Sequence, residues 1–139
     1  MLLRMKYNVY VISAGRYDKL PFNQKQKDSY IFCVKNGEGE LYRSKGCCKV
    51  YETGNLMDSR NFALDHAFKE NNICVQLSDD IKKVVINKNF GEPKNVELDF
   101  AIKDIVSKFK SVKGVKLLGI PPTDNFFFAN KIVSVNTFC

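Results

Sequence analysis

Ile73-Cys74-Val75-Gln76-Leu77-Ser78-Asp79-Asp80 is the stretch whose reading decides the fold. A short apolar strand, Ile73 to Leu77, runs straight into two adjacent carboxylates, and a helix-like segment precedes it. Ligands in open α/β sheets bind beyond the carboxyl ends of the strands. Two acids at such an end suit a hard divalent cation, which takes oxygen ligands and shares them with phosphates. A polar turn closing a strand explains the same residues, because Ser and Asp favour turns. The stretch alone leaves both readings open.

Working outward, Gly54-Asn55 opens a helix from about Leu56 to Lys69, capped by Asn55 or Asp58 and closed by Asn71-Asn72. Met57, Leu64, Ala67 and Phe68 are expected as its buried stripe, and Asp65 with Lys69 as a surface pair. Tyr7 to Ser13 is rich in β-branched and aromatic residues and reads as the first strand, followed by a tight loop at Ala14-Gly15-Arg16. Ser29 to Val34 reads as a second strand ended by Asn36-Gly37-Glu38-Gly39, and Cys48 to Tyr51 as a short third. Residues 82 to 95 read as a Lys/Asn/Gly/Pro-rich loop with a brief strand at Val84-Val85-Ile86. Leu98, Ala101, Ile102, Ile105, Phe109 and Val112 follow helical spacing, with Gly114 placed as the C′ residue. Further strands are expected at Val115 to Ile120 and Lys131 to Val135, separated by a break at Pro121-Pro122. Strands alternating with helices imply βαβ units and a largely parallel central sheet. There is no internal repeat.

At 139 residues the chain is expected to be one domain, residues 1–139, with a real core. An apolar content of 45% and a charged content of 27% are ordinary for a soluble globular protein. No run approaches the ~18 apolar residues of a membrane span, and Met1 to Lys6 lacks the apolar core of a secretory signal. The expectation is an intracellular, soluble protein. Cys33, Cys47, Cys48, Cys74 and Cys139 form an odd set without a CxxC pair, so neither a disulfide framework nor a zinc site is expected. All five read as reduced, with Cys74 as a buried strand residue. The net charge of +7 favours anionic partners, and DNA, RNA, a membrane surface and a nucleotide pyrophosphate all qualify. The lysines are spread along the chain, which fits a solvated surface better than a nucleic-acid patch.

Gly15 lets a backbone approach a flat ligand, and Arg16 offers planar bidentate recognition of a phosphate or carboxylate. A plain turn explains both residues equally well. Neither G-x-G-x-x-G nor a P-loop occurs, which disfavours a nicotinamide, flavin or P-loop site. Arg60 has no acid three or four residues away within its helix, so a solvated side chain and one reaching with Asn61 into the cleft both fit. His66 is the one histidine, has no partner in sequence, and reads as a surface or satisfied side chain. No Ser–His–Asp set can be assembled. An aspartyl phosphotransferase would want its carboxylates after the first strand, which ends here in Ser-Ala-Gly-Arg.

Three segments carry a resemblance: Val9 to Arg16, Gly54 to Asn61, and Cys74 to Asp80. Together they resemble the donor-binding half of a GT-A glycosyltransferase, closest to TET-associated glycosyltransferases and to glycosyltransferase domains of large DNA viruses. Ile120 to Asn125 and the closing strand are similar to that group as well. The fold this implies is a three-layer, Rossmann-like GT-A sheet with flanking helices. A UDP-sugar would lie over the sheet edge. Ser13, Ala14, Gly15 and Arg16 would line the uracil and ribose, and Arg60 would sit near the diphosphate or sugar. Ser78-Asp79-Asp80 would occupy the Asp-x-Asp metal motif, with Ser78 in place of its first acid. That makes Asp80 the ligand for Mn²⁺ or Mg²⁺ and sets Asp79 beside the ribose or sugar. A resident of the host cytoplasm is implied if the source is viral.

The resemblance places a catalytic base in the acceptor-binding half, which is expected to begin where the chain ends, at Asn136 to Cys139. No catalytic residue is assigned, and a partner or a further segment would supply one. The acceptor is expected to be a glycan or a modified DNA base. Two alternatives stand beside this reading. One is a nucleotidyltransferase using the same edge and metal, disfavoured by the missing glycine-rich phosphate loop. The other is a non-catalytic nucleotide- or DNA-binding domain, whose binding would be salt-sensitive and indifferent to Asp79 and Asp80.

Overall fold

Four parallel strands in the order β3-β2-β1-β4 form the central sheet: β1 Tyr7–Ser13, β2 Ile31–Val34, β3 Lys49–Glu52 and β4 Ile73–Ser78. The computed structural model describes residues 6–87, 93–114 and 116–118. The chain divides into two compact units, Met1–Lys82 and Lys83–Cys139. The expected strand at Lys131 to Val135, the break at Pro121-Pro122 and Cys139 lie outside the described residues. So does most of Val115 to Ile120, whose residues 116–118 are in neither helix nor strand.

In the first unit the two inner strands carry the core. β2 is buried at all four positions, and β1 is buried from Val9 through Ser13. Strands covered on both faces need continuous apolar runs rather than alternation, and Val9-Tyr10-Val11-Ile12 and Ile31-Phe32-Cys33-Val34 provide them. β3 ends the order on one side and buries Val50 alone. Parallel neighbours need a crossover, usually a helix. Two of the three crossovers are helices of six residues: α1 Gln24–Ser29 and α2 Gly39–Ser44. Sequence patterning predicts neither. Asn23 starts α1 with a full capping box, its side chain accepting from Gln26 N–H while Gln26 reaches back to Asn23 N–H. Ser29, expected as the first strand residue, is therefore the last of α1, and β2 begins at Ile31.

The third crossover, α3, spans Leu56–Lys69 with Asn55 as its N-cap, and Asn71 leaves it at φ 58. Its ends fall where the sequence puts them, and its buried face does not. Ser59, Ala63 and Ala67 face inward, whereas Met57, Leu64 and Phe68 are 71%, 56% and 83% exposed. Of the expected stripe only Ala67 is buried. Small side chains let the helix backbone come close to Tyr10, Ile12, Ile31 and Cys33, which fill that face of the sheet, with Phe62 and the part-buried Cys74 at the margin. The opposite face holds Phe32, Tyr42 of α2 and Phe22, with ring centroids 6.0 to 6.5 Å apart. Helices thus flank the sheet on both faces, consistent with a Rossmann-like fold.

In the second unit β5 Val84–Asn87 pairs antiparallel with β6 Pro93–Val96. The brief strand expected at Val84 is real. The segment expected as loop also supplies its partner, with Pro93 at the first strand position, where a missing N–H is tolerated. Helix α4, Leu98–Ser111, buries Ala101, Ile102 and Val106, and Gly114 turns at φ 84 one residue later than the C′ place. No helix among the described residues is long and apolar enough to cross a membrane. The described cysteines, Cys33, Cys47, Cys48 and Cys74, are free thiols.

Candidate functional site

β1 leads through α1 to β2 on one side of the sheet, while β4 lies on its other side. The strand order thus reverses between β1 and β4, and a crevice opens at such a switch point. A cavity of about 600 Å³ lies there, within the usual range for small-molecule sites. Its lining includes Ser13, Ala14, Arg16, Arg60, Ser78 and Asp79. All four strands contribute at or just past their carboxyl ends. Lys35 and Asn36 after β2, and Gly54 and Asn55 between β3 and α3, join residues at the ends of β1 and β4. Two residues singled out in the sequence, Gly15 and Asp80, are not among the lining residues. Gly15 turns the chain at φ 67, and its N–H donates to both carboxylate oxygens of Glu38, at 2.9 and 3.2 Å.

Strand register pairs Ile12 with Ser78, so Ser13 and Asp79 come level just past the strand ends. Ser13 Oγ donates to Asp79 Oδ2 at 2.6 Å and also meets Tyr42 Oη at 2.6 Å. The Arg16 backbone N–H donates to Tyr42 Oη at 3.3 Å, and Arg16 Nε lies 3.5 Å from Asp79 Oδ1. Both Asp79 oxygens are thus engaged by the protein, and its side chain is only 14% exposed. Burial raises the Tyr42 hydroxyl above its ordinary pKa, so it stays protonated at neutral pH.

Asp80 differs from its neighbour in every respect. It is exposed, and the Ser78 hydroxyl donates to its Oδ1. That hydrogen bond, aided by the Arg16 and Lys82 charges, holds the Asp80 carboxyl below its ordinary range. Asp80 is ionised at neutral pH. No group of three or more His, Cys, Asp or Glu side chains converges as a metal cage among the described residues. A hard cation shared with phosphates needs only one or two carboxylates, and Asp80 meets that lesser requirement.

Arg60 uses Nη1 to donate to Gln76 Oε1 at 3.0 Å, while Gln76 Nε2 donates back to the Arg60 carbonyl at 3.1 Å. The pair tethers α3 to β4 and leaves the guanidinium on the cavity wall. Thr53 and Ser59 share a hydrogen bond of 2.6 Å beneath the N-terminus of α3. His66 is far along the same helix and is satisfied. Asn8 Nδ2 donates to Tyr10 Oη at 2.9 Å, and Tyr10 Oη shares a hydrogen bond of 2.7 Å with His66 Nδ1. Tyr51 and Phe62 close on the imidazole, with centroids 5.5 and 5.4 Å away.

Sequence reasoning missed Lys35, Asn36 and Tyr42. The first two had a signal, since residues just past any strand of a parallel sheet reach the same edge. Tyr42 had none, because a helix as short as α2 leaves no periodic trace. No family model matches this chain, and no match was found among curated proteins or solved structures.

Proposed function

We propose that this chain is the donor-binding half of a metal-assisted glycosyltransferase of the GT-A type, taking a UDP-sugar at the ends of β1 and β4. The observation that carries this reading is the convergence of Arg16, Lys35 and Arg60 with Ser78 and Asp79 on one cavity at the switch point. Three cations face one acid there, and that acid is engaged by Ser13 and Arg16. The excess positive charge suits a ligand with two or more negative charges, as a nucleoside diphosphate has. Arginine adds a flat fork that matches phosphate oxygens.

Ala14, just past the end of β1, gives the base and ribose a surface with little side-chain bulk. Arg60 is fixed against Gln76, so it can hold the diphosphate or sugar without first losing rotamer freedom. Asp80, with Ser78 steering its carboxylate, is the residue to hold a Mg²⁺ or Mn²⁺ ion. A bound cation would neutralise charge developing on the departing diphosphate. The acceptor, a glycan hydroxyl or a modified DNA base, and the catalytic base that deprotonates it are assigned to residues or partners beyond this site.

The test is calorimetric titration of UDP and UDP-glucose, with Mn²⁺ and with chelator, on wild type and Asp80→Ala. Metal-dependent UDP binding that is lost in Asp80→Ala is expected. Binding confined to nucleoside triphosphates would favour a nucleotidyltransferase. Salt-sensitive DNA binding that ignores Asp80, with no UDP binding, would replace the reading by a DNA-binding domain.

A further inference from the structure

Tyr42 is completely buried, yet its hydroxyl is tied to two residues of the cavity edge, Ser13 and Arg16. The direction of each hydrogen bond follows from donor counting. The carboxylate oxygen Asp79 Oδ2 accepts, so the single Ser13 proton goes to it. Ser13 then has lone pairs alone to offer Tyr42, and the Tyr42 O–H must donate to Ser13 Oγ. Tyr42 Oη in turn accepts from the Arg16 backbone N–H. The Arg16 side chain closes the circuit, with Nε 3.5 Å from Asp79 Oδ1. Three hydrogen bonds in one proton order run from the Arg16 backbone to Tyr42, Ser13 and Asp79, and an ion pair returns from Asp79 to the Arg16 side chain.

The ring is built where it can hold a geometry. Tyr42 is 0% exposed, Ser13 is 6% exposed, and the Asp79 side chain is 14% exposed. Arg16 differs: its side chain is 41% exposed and lines the cavity, while its Nε atom is buried without a hydrogen bond. The guanidinium is therefore held at its inner nitrogen by the Asp79 charge alone, while the rest of the side chain reaches the cavity. A hydrogen-bonded circuit in a buried setting is stiff, because each member fixes the next and any unmade bond leaves a buried polar group bare.

We infer that Tyr42 is a positioning residue for the cavity, setting the Arg16 guanidinium through Ser13 and Asp79 so that its free end meets the ligand's phosphates. The inference rests on the proposed phosphate-bearing ligand for its purpose, and on the ring alone for its geometry. Asp79 consequently serves as the internal counter-ion of Arg16, and Asp80 is the acid left to a cation.

The experiment joins a binding cycle to a ligand-free measurement on the full chain. Tyr42→Phe keeps the ring that packs near Phe32 and Tyr17 and removes only the hydroxyl. In the presence of Mn²⁺, Tyr42→Phe is expected to raise the Kd for UDP by about tenfold, as loss of a well-set charged contact does. The same change in an Arg16→Ala background is expected to do nothing further. A purely structural Tyr42 would weaken binding equally in both backgrounds, and that additivity overturns the inference, as does an unchanged Kd in the single variant. The second arm needs no ligand: the ¹⁵N resonance of Arg16 Nε should be resolved and slow to exchange in wild type and broadened or shifted in Tyr42→Phe. An identical Nε signal in both proteins overturns the inference. A wild type that binds no UDP refutes the glycosyltransferase reading, and the Nε arm then decides on the ring by itself.

Discussion

Replacing Phe68 by Ala should leave the protein nearly as stable as before, although Phe68 is one of the largest apolar side chains on α3. The magnitude comes from its exposure. Complete burial of such a side chain is worth ~1.5–3 kcal/mol, and at 83% exposure only about a sixth of it is covered. The loss is then below ~0.5 kcal/mol, and the better helix propensity of Ala returns a similar amount. Had Phe68 been packed in the stripe that the sequence suggested, the same change would cost ~3–5 kcal/mol. The complementary perturbation is Ala63→Leu. Ala63 is 0% exposed and sits among Tyr10, Ile12, Ile31 and Cys33, so a longer side chain must push the helix off the sheet, at ~1–3 kcal/mol. Urea unfolding of the two variants and wild type separates the cases, since a slope of ~1–3 kcal/mol per molar makes ~2 kcal/mol a midpoint shift of about 1 M. A loss above ~2 kcal/mol in Phe68→Ala, with Ala63→Leu tolerated, would refute the assignment of the buried face and with it the close approach of α3 to the sheet.

Two more outcomes are expected from groups held in unusual states. Burial pushes the Cys33 thiol and the Tyr10 hydroxyl up to about 12, and the Cys47 thiol up to about 11, from ordinary values of 9.0 for the thiols and 10.0 for the hydroxyl. Each keeps its proton in the fold to higher pH than in the unfolded chain. Its contribution to stability is therefore whole below about pH 9 and is lost as pH rises toward about 12. The urea midpoint should fall steadily above about pH 9, and a midpoint flat to about pH 11 would contradict it. Gly54, at φ 98 just before the cap of α3, should not tolerate a side chain. Gly54→Ala is expected to cost ~1–2 kcal/mol through left-handed backbone strain, with its Cβ also 2.9 Å from Asp58 Oδ2; an unchanged thermal midpoint would mean the turn has another conformation.

The strong local signals were legible. Tyr7–Ser13, Leu56–Lys69 and Ile73–Ser78 lie at or within a residue of where pattern and capping put them, because each is long or apolar enough to be specified by its own residues. The parallel sheet was legible only in part from alternation, since α3 before β4 was read and the helices joining β1, β2 and β3 were not. What stayed hidden was decided by tertiary structure. Helices α1 and α2 have six residues each, under two turns, so periodicity cannot announce them. They exist because parallel neighbours must be joined across a face. The inward face of α3 escapes pattern reading for a related reason: counting large apolar residues assumes a distant helix, while a close one is chosen by its alanines and serine.

The adjacent acids of Ser78-Asp79-Asp80 show how far such reading goes at the site. As a string they look like one carboxylate pair. Both lie in the turn just past β4, and their partners separate them. Asp79, level with Ser13, turns inward to a hydroxyl and a guanidinium, while Asp80 stays in solvent with Ser78 on its carboxylate. Ser78 has its own effect on the exposed acid. A carboxylate at position 78 would face Asp80 with like charge and raise its pKa, whereas the hydroxyl donates and lowers it. If Asp80 holds a cation as proposed, Ser78→Ala should weaken cation-dependent UDP binding through the carboxylate that Ser78 orients rather than through any contact of its own, and an unchanged Kd for UDP in the presence of Mn²⁺ would contradict this.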